Sequence, residues 1–139
     1  MIVEIVDTDE KGFLRIDLRD ILRAVSTFGP SCQWILTRLE ARGDVSVVWS
    51  KGMLDLEQAA ASPGGVRFEW ADLVRLSERL VQTIDCKIFA SSSTSEGVLL
   101  TIEAIDSGCW RVSSDDPDVV AMVTRQFDKG VRIFPDCVE

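Results

Sequence analysis

The sequence predicts an α+β fold, with a mixed, mainly antiparallel sheet packed against helices. Three observations carry that expectation. Residues 86–113 hold three alternating segments in a row, separated by turn residues, which is the pattern of an antiparallel meander. Three further stretches, about 17–28, 70–85 and 116–128, repeat apolar residues at helical spacing. The order of these segments lacks the regular strand–helix alternation of a doubly wound fold.

Each element follows from its residues. Ile2 to Val6 reads as a strand, and Asp9-Glu10-Lys11-Gly12 as a turn. Asp17 is a good helix N-cap, with Asp20 at the third helical position near the positive end of the dipole. Ile16 and Ile21 stand where a hydrophobic staple needs them, and Leu18, Ile21, Leu22, Val25 and Phe28 form one apolar face. Gly29-Pro30 ends that helix. Residues 32–40 fit two patterns, since Ile35, Leu36 and Leu39 allow a helix while Trp34, Leu36 and Arg38 alternate as in a strand. Val45 to Trp49 is rich in strand formers, and Ala41-Arg42-Gly43-Asp44 carries turn chemistry, so a hairpin over 32–49 is expected.

Leu54 to Ala61 is a short helix, broken by Ser62-Pro63-Gly64-Gly65. The double glycine is not a phosphate loop, because no Gly-Lys-Ser/Thr follows it. Over 70–85, Trp70, Leu73, Val74, Leu80, Val81 and Ile84 make an apolar stripe. Asp72, Arg75, Glu78, Arg79 and Gln82 make the wet face. Strands are expected at 86–91, 98–105 and 109–113, joined by the serine-rich 92–97 and by Asp106-Ser107-Gly108, where Gly108 is available for positive φ. Asp116 caps the last helix with Pro117 at its first position, Lys129-Gly130 closes it, and residues 131–134 form a final strand. The 139 residues suit one compact domain spanning 1–139.

Composition narrows the chemistry. The chain has no histidine, which removes imidazole general bases, Cys-His dyads and His-metal sites. Its 23 acidic and 15 basic residues leave a net charge of −8, which repels phosphate backbones and anionic lipid. Neither nucleic acid nor membrane is therefore an expected partner. Cys32, Cys86, Cys109 and Cys137 lack the paired spacing of zinc knuckles. The N-terminal residues lack a signal-peptide pattern, so a cytoplasmic protein with reduced thiols is expected.

Two groups of residues invite a functional reading. Asp106, Asp115 and Asp118, with Cys109 between them, are a candidate carboxylate or thiol site, with oxygen ligands of the kind a hard cation takes. Turn formation and helix capping account for the same aspartates, and free cysteine is commonly a small buried residue. Trp34, Trp49 and Trp110 fall on expected strands; core positions are the favoured reading, and they form a candidate interaction surface if one sheet face is left uncovered. Lys87, two residues from Phe89, reads as a snorkelling side chain or a catalytic amine. No cofactor is expected.

In general type the chain resembles small acidic bacterial adaptors, inhibitors and immunity proteins. The leading expectation is a non-catalytic protein that binds another protein, a basic one by charge. The alternatives are a carboxylate- or thiol-based enzyme, with or without a metal, and a ligand-binding or homo-oligomeric structural module.

Overall fold

Extended segments dominate the chain, and in the computed structural model seven of them join in one open sheet. Residues 1–6, 8–12, 15–92, 97–127 and 130–134 are described; Cys137, Lys129 and the centre of the serine-rich segment lie outside them. The strands are β1 (Ile2–Ile5), β2 (Cys32–Gly43), β3 (Val66–Phe68), β4 (Leu80–Ser92), β5 (Val98–Ile105), β6 (Cys109–Ser113) and β7 (Val131–Phe134). The helices are α1 (Leu18–Ala24), α2 (Met53–Ala61), α3 (Trp70–Arg79) and α4 (Pro117–Gln126). Strand order is β3-β2-β4-β5-β6-β1-β7, and every described pairing is antiparallel, so the sheet is not mixed. The expected α+β class holds.

Three helices form a layer on one face of the sheet. α1 touches both α3 and α4; α3 lies against β2 and β3, and α4 against β1 and β6. Between the layers sits the core: Val3, Ile5, Trp34, Leu36, Ile88, Ile102, Trp110 and Val112 from the strands, with Leu18, Ile21, Leu73, Leu76, Val119 and Val123 from the helices. The two buried indoles keep their N–H groups satisfied, as burial requires. Trp34 Nε1 donates to the Gly29 carbonyl at 3.0 Å, and Trp110 Nε1 to the Ile16 carbonyl at 2.8 Å.

The fourth helix has a different task. β3 pairs with only Trp34 to Leu36, so the rest of β2 faces outward as a bare edge. α2 covers it, and the Glu57 carboxylate accepts the Ala41 backbone N–H at 3.1 Å. A helix laid along a strand edge blocks pairing with other chains.

Local expectations fare unevenly. Asp17 does stand at the N-cap of α1, where the Asp20 carboxylate accepts the Asp17 N–H at 2.9 Å. α1 is shorter than expected; after Ala24 the chain continues in tight turns into a single 3-10 turn at Gly29–Ser31. The ring of Trp70 lies over Gly29, where a Cβ would come within 2.4 Å of Cζ3. At α4, the Asp116 side chain accepts from the Asp118 N–H at 2.9 Å with Pro117 in the first turn, as read from the sequence.

Two expectations fail. Residues 32–40 are strand, but 45–49 are not its hairpin partner. They form a helical turn, with the N–H of Val48 and Trp49 donating to the Val45 carbonyl. β2 instead runs on through the supposed turn to Gly43, because β4 offers it a far longer partner. The expected helix over 70–85 also ends early, at Arg79, and β4 begins at once with Leu80. Val81, placed on the apolar stripe by helical spacing, is 78% exposed. Val81, Thr83 and Ile84 are β-branched and favour the strand they occupy.

Candidate functional site

A sheet clothed on one side by helices leaves its other side to be explained. Alternation along each strand sends Val3, Ile88, Ile102, Trp110 and Val112 into the core and their neighbours to the opposite face. That opposite face is open to solvent, and its residues stand in ordered rows.

One row is ionic. Reading Cα partners across the sheet, Arg38 (β2) stands beside Lys87 (β4), then Glu103 (β5), Arg111 (β6), Glu4 (β1) and Arg132 (β7). Arg111 Nε lies 3.0 Å from Glu4 Oε2, and Arg38 Nη2 lies 3.5 Å from Glu103 Oε2. Arg38 Nε also reaches Asp85 Oδ1 at 3.7 Å. Exposed pairs of this kind contribute roughly 0–1 kcal/mol each, so their larger effect is to fix which charges a partner meets. The neighbouring row is largely apolar or hydroxylic: Ile35, Phe89, Thr101, Ser113, Ile2 and Phe134. Lys87 Nζ sits 5.3 Å from the Phe89 ring centre, a cation–π contact that joins the two rows.

Where the apolar row meets the loop after α2, the surface is concave. Ile35, Thr37, Phe89, Val98, Ala61 and Gly65 line an open hollow of about 510 Å³. Its lining is mostly apolar, and the Thr37 hydroxyl is already occupied in donating to the Lys87 carbonyl at 3.3 Å. Such a hollow suits an apolar side chain of a larger partner better than a small polar substrate.

The candidate residues read from the sequence are not on this face together. Trp34 and Trp110 are 0% and 1% exposed and belong to the core. Trp49 is half-buried beside α2, its Nε1 donating to Asp55 Oδ1 at 2.7 Å, and it is not on a strand. The three tryptophans therefore form no common patch. The face that is uncovered carries Phe89, Ile35 and the ionic row instead. Strand alternation in phase with Trp34 and Trp110 could have located it, once these were taken as core.

The aspartates are likewise apart. Asp106 lies in the β5–β6 turn, and Asp115 and Asp118 follow the far end of β6. The five residues of β6 separate them by roughly 17 Å. Asp106 and Ser107 themselves take positive φ, 49° and 54°, in a two-residue turn closed by Gly108 N–H on the Ile105 carbonyl at 2.8 Å. Gly108, expected to take the left-handed conformation, does not. Among the described residues no three Asp, Glu or Cys side chains converge as metal ligands would.

Cys109 is half-buried on the open face beside Arg111 and Glu4. Burial, and next the Glu4 carboxylate, push its thiol above the ordinary range, against the lowering effect of Arg111. Depression would be needed for a nucleophile at neutral pH. Cys86 is enclosed in the core, and burial pushes its thiol up to about 12. The unfolded thiol ionises near about 8.5. Above that pH the unfolded chain has lost a proton that the folded chain keeps, so Cys86 makes stability fall as pH rises from about 8.5 towards 12. Denaturant titrations at pH 7, 9 and 10.5 (roughly spanning that window) should show this fall, and Cys86→Ala should flatten it.

Comparison with known proteins found no matching family model, no matching curated protein and no matching solved structure. No described helix is long and apolar enough to cross a membrane.

Proposed function

We propose that this chain is a non-catalytic, cytoplasmic protein-binding module whose contact surface is the open face of its sheet. The observation that carries the reading is the pairing of an ordered ionic row with an apolar row and hollow on the sheet face that the α1, α3 and α4 layer leaves uncovered. An apolar anchor flanked by fixed charges is the usual composition of a protein contact. The net charge of −8 adds long-range attraction towards a basic partner, while the nearly balanced charges of the face set register. The Cys86 thiol, packed as an apolar residue, suits a reducing compartment.

Affinity capture from the native host, followed by titration of the purified captured protein, tests this. Phe89→Glu is expected to weaken binding by about tenfold or more, and added salt should weaken it further. Arg125→Gln, on the exposed side of α4, should leave it unchanged. The reading fails if no protein binds the wild type, or if Phe89→Glu binds as tightly while remaining folded.

A further inference from the structure

On the opposite side of the molecule, the groove between α1 and α3 forms a second concave site. It has a volume of about 380 Å³ and is lined by Arg19, Leu22, Arg23, Trp70, Val74 and Glu78, with Ser26 and Ser77. Its walls differ in hydrogen-bonding sense. On α1, Arg19 and Arg23 stand one helical turn apart and offer only donors. Among the described residues each makes one loose ion pair, 3.5 Å to Asp17 and 3.9 Å to Asp20, which leaves most guanidinium N–H groups without a described partner.

The α3 wall offers acceptors. Ser77 Oγ donates its proton to the Val74 carbonyl at 2.7 Å and is 1% exposed, so the exposed Glu78 carboxylate is the acceptor this wall offers a ligand. Among the described residues Glu78 makes no ion pair, although two arginines line the same groove. The floor is apolar: Leu22, Val74 and the indole of Trp70. That indole is fixed in place, tilted on Trp34 with ring centres 5.5 Å apart and seated over Gly29.

We propose that this groove binds a free α-amino acid with an apolar or aromatic side chain. The carboxylate would lie between Arg19 and Arg23, the ammonium against Glu78, and the side chain over Trp70 and Val74. Charge-assisted bonds at both ends make recognition depend on the zwitterion, since either charge alone leaves one wall unmatched. The volume lies within the range of small-ligand sites. This site is independent of the sheet-face reading and stands or falls separately.

The test is a titration of the whole chain with L-phenylalanine, followed by the indole N–H signals in two-dimensional NMR. The Trp70 signal is assigned by its loss in Trp70→Phe. It should shift saturably with L-phenylalanine. 3-Phenylpropionate, lacking the ammonium, and phenethylamine, lacking the carboxylate, should each bind about tenfold more weakly or worse. The double variant Arg19→Gln/Arg23→Gln and the single variant Glu78→Gln should each lose about tenfold in affinity for L-phenylalanine while keeping the wild-type melting temperature within about 2 °C. The proposal is overturned by the absence of a saturable shift, by equal binding of all three compounds, or by unchanged affinity in either variant.

Discussion

Trp110→Ala is expected to lower the free energy of unfolding by about 3–5 kcal/mol, a large part of the stability of a domain of this size. Three effects act together. The indole is 1% exposed and fills the space between β6 and the helix layer, so its removal leaves a cavity whose lining loses contacts on one side. Its Nε1 donates to the Ile16 carbonyl at 2.8 Å, and truncation orphans that acceptor just before α1. The same bond ties residues 94 positions apart, so the entry to α1 loses its anchor to the sheet. Guanidinium denaturation followed by far-ultraviolet circular dichroism measures the loss. A change below about 1 kcal/mol means that the indole is not packed as described. Trp110→Phe should recover most of the apolar part and none of the hydrogen bond.

The second large effect is expected at Gly43, where β2 ends against the junction of α3 and β4. Its φ is +148°, in a region that residues with a Cβ rarely adopt. A Cβ there would also lie 2.2 Å from the Arg79 carbonyl oxygen, and backbone cannot swing aside as a side-chain tip can. Gly43→Ala should therefore cost about 3 kcal/mol, the sum of backbone strain and overpacking. Hydrogen exchange should quicken first at the Gly43–Leu80 end of the β2–β4 pairing and leave the Trp34–Ala90 end protected. Equal protection along the whole pairing, with stability unchanged, would show that the backbone accommodates the methyl group.

Gly43 also explains a misreading. Ala41-Arg42-Gly43-Asp44 has turn composition, and on local grounds it should reverse the chain. The glycine is needed instead because Arg79 and Leu80, 36 and 37 residues away in sequence, pass close by. The early end of α3 has the same origin. Leu80 and Ile84 are spaced well enough for a helix, and the choice fell to strand because β2 offers pairing that extends from Leu80 to Ser92 through three register shifts. Where both patterns fit locally, long-range partners decide.

Composition, capping residues and alternation were enough to determine the α+β class, the 86–113 meander, the Asp116 cap of α4 and the final strand. These depend on neighbours within a few residues, and the physics that sets them is local. Tertiary structure alone decided that α2 seals the β2 edge and that Arg38, Lys87, Glu103, Arg111, Glu4 and Arg132 form one row. Such facts arise only when strands distant in sequence are set side by side in register, because a pairing partner is what gives an alternating segment its inner and outer face.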